Sequence, residues 1–422
     1  NYSKAPGGPY PAPQRDPFFP PDEPLRTPSH AAPVFPSPMY DKLHANIPGA
    51  LMNFSDQSFR KDSWVFPSRE DIQEYLVKYA ESVRDLIRFC IQVTKLSRRC
   101  IDGHDKWRIE ARSTVSQETI DDVFDAVVVA NGHYSIPFIP PMANMATFQE
   151  TYPSIITHSK QYRTASEFEG KKVIIVGNGP SGTDIALQIN QVSRGKALLS
   201  VRTPTPPAKL EHTGCEEVQE IVEFLVDQRG VRFKDGRTET DIDAIVFCTG
   251  FLFSYPFLPD MQHKLITNGQ GVHGLYKHVF HIHHPTLVFP TLNMKSVPWP
   301  LSEAQAAVVS AVWSNSLQLP SVEVMEQWSR ELEEREGEAL HVFPHLGDGF
   351  YINELHDWVM QAGRMGKEPP RWDDRMFWQR NVFVEAKLRF EKQGCKATTL
   401  EELGLCYDPD WNKQAVEDPQ EP

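Results

Sequence analysis

The sequence predicts an α/β fold in which one doubly wound unit is inserted into another. Three observations carry this. Val173–Val176 is an apolar strand that runs into Gly177-Asn178-Gly179-Pro180-Ser181-Gly182, and residues 183–189 continue as a helix. Residues 124–130 (FDAVVVA) form an apolar run that ends in Asn131-Gly132, as a buried parallel strand would. Residues 242–248 (IDAIVFC) repeat that form and end in Thr249-Gly250. The two runs bracket one complete strand–turn–helix unit.

The other elements follow in order. Residues 1–48 hold more than a third of the chain's 35 prolines. Such a stretch cannot be helix or central strand. Its Phe18, Phe19, Phe35, Met39, Tyr40 and Leu43 favour an extended segment laid over a domain surface. Residues 68–83 read as an amphipathic helix, with Ile72, Tyr75, Leu76, Tyr79 and Val83 at helical spacing and Ser68 with Asp71 as a capping box. Strand-like pieces follow at 86–96 and 107–111. Later helices are expected at 302–316 and 321–338, and a loose acidic tail after Ala397.

Composition bounds the function. A chain of 422 residues is enough for two domains. Apolar content of 40% and charged content of 23% describe a globular protein. A net charge of −13 argues against a general nucleic-acid or anionic-membrane binder. No apolar run is long enough for a membrane span. The cysteines at 90, 100, 215, 248, 395 and 406 form no C-x-x-C. That suits a reducing, cytoplasmic setting and disfavours a zinc site or a disulfide reductase.

The glycine turn carries chemistry. Gly177 permits the tight turn, Gly179 lets backbone N–H groups approach a pyrophosphate, and Gly182 lets helix and strand pack closely. The helix N-terminus at Pro180-Ser181 then faces the phosphates, and Asn178 in the turn counts among the cofactor contacts. The alternative is a glycine-rich turn without a ligand. The next strand, residues 196–202 (KALLSVR), ends in Arg202-Thr203 where NAD binders place an acid for the ribose 2′-OH. An arginine there suits a 2′-phosphate, so NADPH is expected over NADH; otherwise Arg202 is a solvated surface residue. His281 and His283 would share a strand face and permit a metal. No cysteine, aspartate or third ligand lies near them in sequence, so no metal is expected.

Further segments have a family likeness. They are Tyr40-Asp41-Lys42-Leu43-His44-Ala45-Asn46-Ile47-Pro48, Leu51-Met52-Asn53-Phe54-Ser55-Asp56, Ile72-Gln73-Glu74-Tyr75 and Asn131-Gly132-His133-Tyr134. His158-Ser159 with Tyr162-Arg163, Cys248-Thr249-Gly250-Phe251 and residues 297–305 (VPWPLSEAQ) complete the set. Together with the glycine turn, these resemble the flavin-containing monooxygenases, and within them the fungal thiol-oxidising type. The likeness runs collinearly over residues 1–360 and is weaker beyond.

The resemblance implies two Rossmann-like, dinucleotide-binding domains, an NADPH domain inserted into an FAD domain. The FAD domain would take residues 1–131 and 247–422, the latter with C-terminal helices, and the NADPH domain 132–246. The implied reaction inserts one oxygen atom from O2 into a soft nucleophile, a small-molecule sulfur, through a C4a-hydroperoxyflavin. An N-hydroxylase or other oxygenase of a specialised pathway is the alternative. A non-catalytic NADP-binding remnant is the alternative of another class. Asn46 matches the asparagine beside the flavin and is the implied catalytic residue, since an amide donates a hydrogen bond without acting as a base. Read alone, an asparagine before Ile47-Pro48 is a turn residue. Ile47, Val93 and Gln305 match flavin-side positions; read alone, Val93 is core and Gln305 is helix surface. His158 and Ser159 are implied cofactor-binding residues, and His158 matches a residue that orients the domain interface; read alone, His158 is a capped surface histidine. The enzyme is expected to be cytoplasmic and free of nucleic acid and membrane, and the resemblance allows a homodimer.

Four departures accompany the likeness. The family's first strand–GxGxxG–helix, with its acid for the FAD ribose, does not occur in the sequence. The expectation is either a sequence that continues upstream or a protein unable to hold FAD in the usual way. His158 stands too far from Phe148 for the F-x-G-x-x-x-H fingerprint. Phe289-Pro290-Thr291-Leu292 replaces Phe-x-Gly-Leu. The membrane-anchoring C-terminus of the mammalian enzymes is not expected, which favours a soluble enzyme.

Overall fold

The computed structural model describes residues 35, 37–337, 339–363 and 366–411. The proline-rich stretch up to residue 34 therefore lies outside the described residues. The chain divides into two compact units. The first comprises residues 1–35, 44–133 and 252–422, the second residues 36–43 and 134–251. The sequence assigns residues 36–43 to the first domain. They fall in the second unit because Tyr40 and Leu43 join its apolar core.

In the first unit, α1 (Arg69–Tyr79) starts at a reciprocal cap. The Ser68 hydroxyl accepts from the Asp71 N–H, and the Asp71 carboxylate accepts from the Ser68 N–H. The chain then tightens into a 3-10 turn at Glu81–Leu86, so the helix is shorter than its apolar spacing suggests. Cys90 takes a φ of 58°, and the strand expected from residue 86 starts only after it. β1 (Ile91–Ile101), β2 (His104–Ser113) and β3 (Thr119–Phe124) make an antiparallel meander. Asp102 and Gly103, both at positive φ, form the first hairpin turn, whose hand matches the strand twist.

The apolar run 124–130 splits. Phe124 ends β3, and only β4 (Val127–Val128) remains as a parallel strand. It pairs along one edge alone, and Val128 is 49% exposed. The expectation of a buried strand is corrected here. Among the described residues no strand pairs with its other edge.

The second unit is a parallel sheet. β5 (Ile156–His158), β6 (Val173–Val176), β7 (Leu198–Val201), β8 (Glu216–Gln219) and β9 (Ala244–Phe247) lie in the order β5-β9-β6-β7-β8. α2 (Pro180–Asn190) joins β6 to β7. Ile174, Ile175, Ile245, Val246 and Phe247 are fully buried. Each such side chain contributes about 1.5–3 kcal/mol on leaving water. β9 separates β5 from β6, while β7 and β8 extend the other way from β6. This puts a topological switch at β6 and β9, and ligands bind outside the carboxyl ends of strands at such a switch.

The chain returns to the first unit with β10 (Leu275–Tyr276), β11 (Phe280–His281) and β12 (Leu287–Val288), which join β4 in a four-stranded sheet. α3 (Pro298–Trp313) begins four residues before its expected start, because prolines are accommodated in a helix's first turn. α4 (Val322–Glu336) follows Ser321. α5 (Gly347–Met360) and α6 (Asp374–Lys392) supply the C-terminal helices. The described residues after Ala397, 398–411, are not loose. Leu400, Leu403 and Leu405 bury against Phe66, Trp378 and Phe390, and apolar burial outweighs the local acidity. No described helix is long and apolar enough to cross a membrane.

Candidate nucleotide and oxygenation sites

The three glycines of the 177–182 turn have three different physical reasons. Gly177 sits at φ +103°, and a Cβ there would meet the Cys248 carbonyl oxygen at 2.8 Å. A Cβ on Gly182 would lie 2.0 Å from the Gly177 oxygen, so helix and strand touch through it. Gly179 is different. Its φ of −65° suits any residue, and a Cβ would meet nothing within 4 Å. The protein's own packing therefore does not require glycine at 179. What it leaves is open space over the exposed Pro180-Ser181 start of α2. The first-turn amides of a helix lack helical acceptors and carry the positive end of its dipole. This cradle fits a pyrophosphate.

Arg202 is exposed just beyond β7 and forms no ion pair among the described residues. Its loop is nevertheless fixed. The Asn178 amide donates to the Thr203 carbonyl and to Thr205 Oγ1, both at 2.9 Å. Thr205 N–H donates to Glu217 at 2.9 Å. The Asn178 side chain, counted among the cofactor contacts from its place in the turn, is thus a clamp within the protein. No local spacing signals its partners, which lie a strand away.

His158 and Ser159 close the carboxyl end of β5. His158 is fully buried, and burial pushes its imidazole down to about 4. The reading of a surface histidine is excluded. Its Nδ1 accepts from the Lys160 N–H at 3.1 Å. Ser159 N–H donates to the Phe247 carbonyl at 2.8 Å, so it ties β5 to β9. The neighbouring Cys248 thiol is pushed up to about 12 by burial and stays protonated. It is no nucleophile.

In the first unit, Asn46 is exposed, and its amide makes no hydrogen bond among the described residues. The backbone around it is held. Ala45 N–H donates to the Pro67 carbonyl and Gly49 N–H to the Val65 carbonyl, both at 2.9 Å. A turn asparagine bonds to nearby backbone, and Asn46 does not. Ile47 packs against the α3–α5 core, and Val93 is half-buried against the β1–β2 core.

Gln305 is not on a helix surface. It is fully buried in α3, its Oε1 accepting from Thr291 N–H at 2.8 Å and its Nε2 donating to Tyr351 OH at 3.1 Å. Both ends of the amide are engaged by protein, so Gln305 shapes the 291–293 loop. Thr291 takes a φ of 58°. That explains the glycine expected at this place, because a β-branched residue is strained there. Two residues on, Asn293 is buried and its Nδ2 has no partner. An unmade bond of this kind costs about 1–3 kcal/mol unless a ligand completes it. Asn293 is a candidate contact that sequence spacing did not reveal.

The histidines also resolve. β11 ends at His281, so His281 and His283 do not share a strand face. β2 brings Asp105 to His284 Nδ1 at 2.7 Å, and His278 Nδ1 meets His341 Nδ1 at 3.1 Å. Among the described residues no group of three or more metal-ligating side chains assembles.

Comparison with known proteins agrees with this geometry. The family described as Flavin-binding monooxygenase-like matches residues 36–206 and 211–363. The thiol-specific monooxygenase of Saccharomyces cerevisiae is 33% identical over 362 residues, covering 81% of this chain and 79% of that protein. The structure of Tmm from Pelagibacter sp. strain HTCC7211 covers 84% of this chain and 78% of its own, with 27% identity and a TM-score of 0.68. That of S-allyl-L-cysteine S-oxygenase from Allium sativum covers 87% and 83%, with 23% identity and a TM-score of 0.72.

Proposed function

Because the chain belongs to the flavin-binding monooxygenase-like family, we propose that it inserts one oxygen atom from O2 into the sulfur of a small thiol or thioether. It is a flavin-dependent monooxygenase, and its cofactors are FAD and NADPH. The observation that carries the reading is Gly179, a glycine that nothing in the protein's own packing requires, set in open space over a helix N-terminus. The likeness to a thiol-specific enzyme supports sulfur as the target.

The residues fit NADPH. The 177–182 turn and the start of α2 would hold its pyrophosphate, and Arg202 its 2′-phosphate. The second unit, with β6–α2–β7 at its centre, is then the NADPH domain. The fit to FAD is partial. Asn46 offers an amide, and Asn293 an Nδ2 donor, without protein partners among the described residues, which suits the ring end of a flavin. No second strand–GxGxxG–helix occurs among the described residues. When bound, FAD supplies the chemistry that carries electrons from NADPH to O2. The protein's own part is to bind, orient and shield. Asn46 would donate a hydrogen bond where negative charge develops on oxygen, and as an amide it takes no proton. Gln305 would hold the 291–293 loop so that Asn293 stays presented.

The test is product formed per NADPH consumed with cysteine, glutathione and a tertiary amine. A thiol should be oxygenated with tight coupling and the amine poorly. Preference for the amine would overturn sulfur as the target.

A further inference from the structure

Asn293 lies in a strained loop. Thr291 takes a φ of 58° and Lys295 one of 54°, both in the left-handed region that favours glycine. Asn293 stands midway between them. Such backbone persists only where its surroundings over-determine it, and it clusters at functional sites. Asn293 is 5% exposed. Its Oδ1 accepts from Gln305 Nε2 at 3.4 Å, and its Nδ2 has no partner.

The anchors on the two sides of Asn293 differ in kind. Before it, the neutral amide of Gln305 accepts from the Thr291 N–H. Just after it, Met294 N–H donates to the His341 carbonyl at 2.7 Å. Beyond that, the anchor is an ion pair. Arg380 on α6 donates Nε to Asp348 Oδ2 at 2.9 Å, and its Nη2 donates to the Lys295 carbonyl at 2.7 Å. Asp348, in the first turn of α5, accepts from the Val297 N–H at 2.9 Å through the same oxygen. Asp348 is fully buried, and Arg380 is 6% exposed. A buried ion pair adds little to stability, because taking two charges from water offsets much of their attraction. Apolar residues of similar volume often serve as well. What apolar residues cannot do is hold two backbone groups, at 295 and 297, through directed, charge-assisted hydrogen bonds.

We propose that Asp348 and Arg380 are positioning residues for Asn293: by holding the backbone at 295 and 297 they keep its Nδ2 in place as a donor to the flavin ring. The inference rests on reading Asn293 as a flavin contact. The ring's carbonyl oxygens and nitrogens accept hydrogen bonds, and an amide already fixed in place loses little freedom on meeting them. Released at 295 and 297, the loop would relax its left-handed residues and carry Nδ2 with them.

The experiment measures the FAD dissociation constant of the holoenzyme by flavin fluorescence, and the melting temperature after the flavin is removed. The variants are Asn293→Ala, Asp348→Leu with Arg380→Met, and all three changes together. The apolar pair fills the space of the ion pair, so the flavin-free protein should melt close to wild type. Asn293→Ala should weaken FAD binding by roughly three- to tenfold, the size of one hydrogen bond. The apolar pair should weaken it to a similar degree, and the triple variant no more than Asn293→Ala alone. A merely structural pair would give losses that multiply. Arg380→Lys keeps the charge beside Asp348 without the fixed second N–H for the Lys295 carbonyl. It should weaken FAD binding in the same direction, and it carries the test should the apolar pair fail to fold. If the apolar pair or Arg380→Lys binds FAD as wild type does, or if the losses multiply, the inference is overturned while Asn293 keeps its role. If Asn293→Ala leaves FAD affinity unchanged, Asn293 is no flavin contact and both are overturned.

Discussion

The Asn178 side-chain amide donates to the Thr203 carbonyl at 2.9 Å, so the glycine turn and the loop that carries Arg202 are one rigid piece. Binding at either part therefore meets a preformed partner. Thr205 Oγ1, the second acceptor of the same amide, makes the tie two-pronged.

This relationship separates two variants. Arg202→Ala should raise the KM for NADPH by roughly 10–100-fold, the worth of a charge-assisted phosphate contact, and leave NADH nearly unchanged. Asn178→Ala should raise both, because it loosens the whole cradle. Steady-state kinetics with the two nucleotides reads this directly. Equal losses for NADPH and NADH in Arg202→Ala would remove the 2′-phosphate assignment.

Gly179→Ala and Gly182→Ala should fail in opposite ways. A methyl at 179 meets no protein atom within 4 Å, so the variant should melt as wild type while losing nucleotide affinity. A methyl at 182 lies 2.0 Å from the Gly177 oxygen, so helix and strand must part and the melting temperature should fall. Overpacking of this kind costs about 1–3 kcal/mol. Calorimetry with and without NADP+ distinguishes them. Unchanged NADPH affinity in Gly179→Ala would remove the ligand from that space.

Burial of His158 predicts a pH dependence of stability. Its folded value is lowered to about 4, against about 6.5 in the unfolded chain. Between these values the unfolded chain binds the extra proton, so stability falls as the pH falls. The contribution is complete above pH 6.5 and is lost progressively toward pH 4. His158→Asn, which can still accept from the Lys160 N–H, should flatten the slope of stability against pH in that window by about one proton. An unaltered slope in urea melts from pH 4 to 6.5 would show that His158 does not titrate on unfolding.

Asn46→Ala should uncouple the enzyme. Electron delivery depends on the nucleotide turn, which the change leaves intact, so NADPH consumption should continue. Oxygenated product should fall by roughly tenfold and H2O2 should replace it, since a charge-directed hydrogen bond of this order is lost. Peroxide and product are assayed per NADPH, with cysteine and glutathione as substrates. Unchanged coupling would return Asn46 to a simple turn position.

Neighbouring residues alone set the local pieces. The β6–turn–α2 unit, the Ser68–Asp71 cap and the β9 run were legible because each is written in neighbouring residues with a fixed period or spacing. Gly177, Gly179 and Gly182 could be assigned distinct tasks for the same reason. Tertiary structure alone decided the partners. Gln305 reads as helix surface, yet it is buried because Thr291 and Tyr351 reach it from other elements. Asn178 turned out to be a clamp, Asn293 an unpartnered donor, and Tyr40 a tether to Asp184. The run at 124–130 carries the pattern of a buried strand, yet Val128 stands half-exposed at a sheet edge. Periodicity records what a residue does to its own segment. Burial and hydrogen bonding at a site depend on which distant segments arrive beside it, and no local pattern encodes that.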